Sequence, residues 1–372
     1  MRRDHPMRHV TSSPRHCIGA SFAAGAVALA AVFTGGSPAV AAPMAATATN
    51  DAGLFGSQDP SFDGVFRQSM AILGLIATEA SVPTSAVDWL LDQQCPDGSF
   101  VSYRAEPSQP CPAADPSTFT GPDTNSTAVA ALALAASNNT SASRTAIRWL
   151  ADTQNEDGGW PYLAGTASDS SSTGLALAAM RGADIPRARA TKQAAFAFLH
   201  TLVATCTAPI SDRFGLSYQA GANVDAFSST QGLLGLSGTL PARTKEQRRG
   251  GPMAKCAPDG EVLNDRIAVA RWSMHQINAN NGGIPSSFSP GETDWNSTAI
   301  AVLGLVNNGF GGNATDLAVG ALQANVTEYI SGAGDRAAAL GTTLLVTAAT
   351  GENPRSFGGV NLVKRLKDTL QR

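Results

Sequence analysis

Apolar residues run almost unbroken over 70–77, 128–136, 174–180, 233–236 and 299–306, and each run is dominated by Ala, Leu, Ile, Val and Gly. Runs this apolar on every side predict helices buried all round. Between them, segments such as 145–153 and 186–202 mix Arg, Lys and Gln with Trp, Phe and Leu, as helices with one wet face do. Pro186 suits the first turn of such a helix, where a missing N–H costs nothing. Alternating apolar and polar positions of period two are scarce, so the pattern predicts an all-α chain in two layers.

The punctuation between these helices repeats. Trp149-Leu150, Gln154 and Asp157-Gly158-Gly159-Trp160 are followed by Asp169-Ser170-Ser171-Ser172-Thr173 at the head of an apolar run. An earlier copy has Trp89-Leu90, Gln94, Asp97-Gly98-Ser99-Phe100 and Asp123-Thr124-Asn125-Ser126-Thr127. A later one has Trp272, Gln276, Asn281-Gly282-Gly283-Ile284 and Asp294-Trp295-Asn296-Ser297-Thr298. A degenerate copy keeps Phe214-Gly215-Leu216 and Asp225-Ala226-Phe227-Ser228-Ser229-Thr230 without the Gln. Asp63 and Asp335 head similar helices at the two ends. The result is six units of roughly 50 residues, each long enough for two helices. A closed ring of six helical hairpins accommodates them, with parallel inner helices and returning outer ones: an α/α toroid in two concentric layers.

Arg2, Arg3, Arg8 and Arg15 precede an apolar stretch from Ile18 to Phe33, and Ala39-Val40-Ala41 supplies a small-x-small cleavage site. Residues 1–42 therefore read as a secretory signal peptide cleaved near Ala41-Ala42, 43–60 as a flexible lead-in, and 61–372 as the toroid domain of a secreted, extracellular protein. Removing four arginines and Asp4 takes the formal net charge from −3 to −6. An acidic chain offers no footprint for nucleic acid, and no later stretch reaches the length of a membrane span. Cys95, Cys111, Cys206 and Cys256 remain, an even number that implies disulfides in an oxidising compartment. Of the three pairings, Cys95–Cys111 with Cys206–Cys256 is favoured, because each then clips one excursion between helices. The polar stretch 241–252 reads as a surface insertion.

The spacing Leu150-x-x-x-Gln154-x-x-x-Gly158-Gly159-Trp160 resembles the Gln-Trp repeat of the terpenoid cyclase and protein prenyltransferase superfamily, whose fold is an α/α toroid. The resemblance spans most of the chain and implies a fold more than a reaction. In this reading Asp97 and Asp157 hold corner amides, and Trp89, Trp149 and Trp272 pack hairpins together.

Function is sought in the other half of the cassette. Asp123, Asp169, Asp225 and Asp294 each begin an inner helix, where a carboxylate can bond free amides and oppose the helix dipole. Parallel inner helices bring these starts to one mouth of the ring, so Asp123, Thr124, Asn125, Asp169, Tyr218, Asp225, Asp294, Trp295 and Asn296 are the candidate ligand-binding residues. Squalene-hopene-type cyclases protonate an alkene from an Asp-x-Asp-Asp motif, which is absent. Only His200 and His275 remain for zinc, unclustered. Neither catalytic residues nor a metal site is therefore assigned, and no cofactor is required.

Asp123-Thr124-Asn125-Ser126-Thr127-Ala128, with the Ala-Leu run after it, resembles the helix start of the intrinsic factor and transcobalamin family of secreted cobalamin carriers. That implies a corrinoid, cobalamin above all, bound at the mouth, with a partner chain or envelope transport protein as lid, since the family's closing β domain has no counterpart here. The expectation is a non-catalytic small-molecule-binding toroid. The alternatives are a toroid enzyme acting on isoprenoids or glycans, and a cell-envelope interaction scaffold.

Overall fold

The structure is a computed structural model that describes residues 51–181, 188–242 and 247–372. The expected signal peptide, residues 43–50 of the lead-in, and Pro186 lie outside the described residues.

Six inner helices are α1 (Gly64–Ala77), α3 (Thr124–Ala136), α5 (Ser170–Arg181), α7 (Ala226–Ser237), α9 (Trp295–Asn308) and α12 (Ala337–Thr350). Their returning partners are α2 (Thr84–Asp92), α4 (Thr140–Asp152), α6 (Ala188–Leu202), α8 (Asp265–Ala279), α10 (Gly312–Ala324) and α13 (Leu362–Asp368). A short α11 (Val326–Ile330) precedes α12, and a two-residue hairpin pairs β1 (Trp160–Pro161) with β2 (Ser168–Asp169). Each inner helix packs on the next, and α12 packs on α1, so the ring is closed. This is the all-α, two-layered α/α toroid expected from the repeats.

Chemistry explains the layers. In α3 every residue from Thr124 to Leu134 is buried, whereas α4 buries only Ser143, Ala146, Ile147 and Leu150 and leaves its Arg and Asp outside. Glycines set how closely inner helices approach. A Cβ on Gly341 would lie 2.4 Å from the Met70 carbonyl oxygen, and one on Gly174 would lie 2.3 Å from that of Gln231. Real Cβ atoms do not come so near, so the α12–α1 and α5–α7 seams require glycine.

The two halves of the cassette are tied by one hydroxyl. Thr127, Thr173 and Thr298 each stand four residues after the Asp, and their Oγ1 accepts the backbone N–H of Phe100, Trp160 and Ile284, at 3.0, 2.8 and 2.9 Å. In the degenerate copy Ser229 does this for Leu216, also at 2.9 Å. Phe214 there has φ 75°, where the other corners place Gly98, Gly158 and Gly282; a bulky side chain in that region is strained. The cassette glutamines bridge hairpins: Gln94 donates to the Gly98 and Ala142 carbonyls, and Gln154 to those of Gly158 and Thr191.

The sulfurs pair as Cys95–Cys111 and Cys206–Cys256, the neighbour pairing. The lead-in differs from expectation over its described part. Leu54 and Phe55 are completely buried, and the flanking backbone pairs with the last residues of the chain, Gly53 N–H to the Gln371 carbonyl and Gln371 N–H to that of Leu54, both at 2.9 Å. Buried Arg67 and Gln68 of α1 hold it: Arg67 donates to the Phe55 and Gln58 carbonyls, and Gln68 accepts from Phe55 N–H at 2.8 Å. The packed body thus begins before residue 61.

Candidate functional site

Inner-helix starts gather at one end of the ring, and their side chains are anchored in a common way. Asp123 Oδ1 accepts the Ser126 N–H at 2.7 Å, Asp169 Oδ1 that of Ser172 at 2.7 Å, Asp225 Oδ1 that of Ser228 at 2.7 Å and Asp294 Oδ1 that of Ser297 at 2.8 Å. These are helix caps, satisfying amides that have no partner within the helix. The end units depart from this. Asp63 bonds the Arg67 guanidinium at 2.8 Å instead of amides, and Asp335 forms a fork with Arg365 of α13.

A second device spans neighbouring hairpins. The residue two positions after the corner residues Phe100, Trp160 and Leu216 lies over the preceding inner helix and caps it with its carbonyl: Ser102 takes Val65 N–H at 2.9 Å, Tyr162 takes Thr124 N–H at 2.9 Å, and Tyr218 takes Ser170 N–H at 3.0 Å. In the fourth corner the Ser287 hydroxyl does the same for Ala226 N–H at 2.8 Å. The geometry carries two phenols to the inner-helix starts, Tyr162 beside Asp123 and Tyr218 beside Asp169. A third, Tyr329, donates to Asn296 Oδ1 at 3.2 Å. Burial and neighbouring carboxylates push all three phenols well above the usual tyrosine range, for Tyr162 chiefly the carboxylate of Asp123 and for the other two chiefly burial. Sequence reasoning named Tyr218 and missed Ser102, Tyr162 and Tyr329. Ser102 and Tyr162 follow their corners by two residues, a signal that becomes legible only once the cap is seen, and Tyr329 sits on the short helix α11.

The open ring of carboxylates expected for a corrinoid is not what these residues form. Asp123, Thr124 and Asp169 are each 1% exposed and Asn125 5%. Thr124 is spent internally, its hydroxyl on the Pro161 carbonyl at 2.6 Å. Asp169 is spent too: Oδ1 also takes the Ser171 hydroxyl at 2.7 Å, and Oδ2 takes that of Ser172 at 2.8 Å. Asp294 Oδ2 takes the Ser297 hydroxyl at 2.6 Å, and Trp295 turns its indole N–H to Glu328 at 3.3 Å. Carboxylates that face their own helices cannot at the same time line a polar rim. Tyr218, Asp225, Asp294, Trp295 and Asn296 remain half-buried at this end.

Asp123 stands apart from Asp169 and Asp294. Its Oδ2 is sealed from solvent and, among the described residues, meets no donor; Asn125 Oδ1, two residues on, is in the same position. Burial raises the Asp123 carboxyl to about 7, opposed only in part by the Ser126 amide and hydroxyl, the Asn125 amide and the Ser102 hydroxyl. Asp169 and Asp225 are also raised, again by burial first. An ionised carboxylate removed from water is costly unless paired, so such a group keeps its proton instead. In the tetrad Asp123-Thr124-Asn125-Ser126 only the first residue carries a carboxyl.

No protein-family model matches the chain, and no curated protein does either. Solved structures do. One is ent-copalyl diphosphate synthase from Streptomyces platensis, 14% identical over 78% of this chain and 51% of that one, with a TM-score of 0.50. The chain thus spans about half the length of that synthase. Another is the type II terpene cyclase MstE from Scytonema, 14% identical over 76% of this chain and 88% of that one, TM-score 0.44. A protein from Actinoplanes is 19% identical over 71% and 81%, TM-score 0.31. At such identities the likeness is one of fold: the chain has an α/α toroid like that of the synthase.

Proposed function

We propose that this toroid is an enzyme of the terpenoid-cyclase type, in which an apolar, isoprenoid-like molecule meets the inner-helix N-terminal end and Asp123 donates a proton to it. One observation carries the reading: a buried carboxyl, held near 7, whose second oxygen the fold does not use. A general acid works best when its pKa lies near the working pH, because the proton is then both present and transferable. Asp169, equally buried, has both oxygens engaged by its own helix.

The strength of the acid indicates what it protonates. Without a second and third carboxyl in the tetrad, a group near 7 is far too weak to protonate a bare alkene readily, whereas an oxygen accepts a proton easily. The proton therefore passes from Asp123 Oδ2 to an oxygen on the substrate, such as an alcohol or epoxide, and leaves a carboxylate that the surrounding hydroxyls and amides hold until it is reprotonated. Half-buried Phe227 and Trp295 at this end suit an apolar body. The two disulfides support an exported protein, since such bonds persist in oxidising compartments.

The test is conversion of geranylgeraniol, its terminal epoxide and squalene epoxide by the purified protein, followed by gas chromatography with mass detection. The expected result is a new product with the wild type and with Asp294→Asn, and none with Asp123→Asn. Equal product from Asp123→Asn would remove the acid. Cobinamide, as the corrinoid arm, is titrated alongside; saturable cobinamide binding without conversion of any isoprenoid would overturn the enzyme reading in favour of a carrier.

A further inference from the structure

We propose that Asn125 is the specificity-determining residue of this site and reads a hydroxyl group on the substrate, accepting its O–H at Oδ1 while the hydroxyl oxygen faces Asp123 Oδ2. The inference rests on the isoprenoid reading above and names the polar end of that molecule.

The position two residues after the capping Asp occurs in four copies, so its uses can be compared. Ser171 donates its hydroxyl to Asp169 Oδ1 at 2.7 Å, Asn296 Oδ1 accepts the Tyr329 phenol at 3.2 Å, and Phe227 has no polar atom to satisfy. Asn125, 95% buried by its 5% exposure, keeps an oxygen that is sealed from solvent and meets no donor among the described residues. A buried acceptor without a donor is unfavourable, and native proteins leave few of them. Its chain neighbours do not supply the donor: the Thr124 hydroxyl is on the Pro161 carbonyl, and the Ser126 amide is on Asp123 Oδ1.

An amide oxygen accepts and never donates, so the group that completes it must carry a hydrogen. A hydroxyl does so and still offers lone pairs to the Asp123 proton. An ether offers lone pairs alone. A diphosphate offers mainly acceptor oxygens, so it does not supply the hydrogen that Asn125 Oδ1 lacks.

The experiment compares geranylgeraniol, its methyl ether and its diphosphate by titration calorimetry on the full protein, with Asn125→Leu and Asn125→Asp beside the wild type. The alcohol is expected to bind about tenfold tighter than the ether, the size of effect that one unmet buried acceptor produces. Asn125→Leu should abolish that difference by weakening the alcohol alone, and Asn125→Asp, which keeps an acceptor, should retain it and show that the site is folded. Alcohol and ether binding alike to the wild type would overturn the assignment of Asn125 and leave the isoprenoid reading standing, as a buried water on Oδ1 would predict. Tightest binding of the diphosphate would overturn it as well. Failure of all three to bind would sink both readings.

Discussion

Thr173 Oγ1 accepts the backbone N–H of Trp160 at 2.8 Å, and through that one bond the corner of a hairpin is fastened to the first turn of its inner helix. Both partners are buried, so removing the hydroxyl strands an amide in the core. Thr173→Val, nearly the same shape, is expected to lower unfolding stability by about 1–3 kcal/mol, and Thr173→Ser by much less. Urea denaturation of the three proteins checks it; equal losses for Val and Ser would assign the effect to packing instead.

Ring closure rests on glycine at the α12–α1 seam. A methyl group at Gly341 would meet the Met70 carbonyl oxygen at 2.4 Å, a backbone atom that cannot swing aside. Gly341→Ala is therefore expected to destabilise by roughly 1–3 kcal/mol or more despite the better helix propensity of alanine. Gly320 of α10 meets nothing within 4 Å of such a Cβ, so Gly320→Ala should be neutral or stabilising. Thermal melts of the pair decide the matter.

The pH dependence of stability follows from the buried carboxyls. Asp123, raised to about 7, and Asp169 and Asp225, also raised, bind protons in the folded chain that the unfolded chain has already released. Their contribution to stability is therefore full below the unfolded value, near 4, and is lost as the pH rises toward the folded value. Between about pH 4 and 7 Asp123→Asn should flatten part of this decline, and above about pH 7 it should be at least as stable as the wild type. Denaturant midpoints across that range test it, and a wild type whose carboxyls add stability as pH rises would contradict the sign.

Opening Cys95–Cys111 releases a loop with a sequence separation of 16. Cys95→Ser with Cys111→Ser is expected to cost about 3 kcal/mol on the loop-entropy account. Calorimetric melting of the double variant with Cys206–Cys256 intact measures it; an unchanged midpoint would show that the excursion is already ordered without the bridge.

Much of the ring was legible because repetition amplifies weak signals: one cassette says little, but four copies place four helix starts at one end. The disulfides were legible because each pair brackets a single excursion. What escaped depended on contacts between units. The cap that Tyr162 places on Thr124 joins residues of successive hairpins, and nothing local marks it. Phe55 and Gln371 look like parts of loose segments until the backbone at residues 53–54 pairs with the last residues of the chain. The polar character of Asp123 and Asn125 suggested an open rim, yet the same polarity serves helix capping, and only burial and partner geometry separate an oxygen that the fold uses from one it leaves unmet.

The central claim is that one carboxyl, Asp123, holds a proton near neutral pH. Carbon-13 NMR of side-chain carboxyls, titrated in the wild type and in Asp123→Asn to assign the resonance, tests it most directly. The account predicts a carboxyl with a midpoint of about 7 that is missing from the variant. An Asp123 resonance already fully ionised at about pH 5 would contradict it, because the group would then have no proton to give at neutral pH.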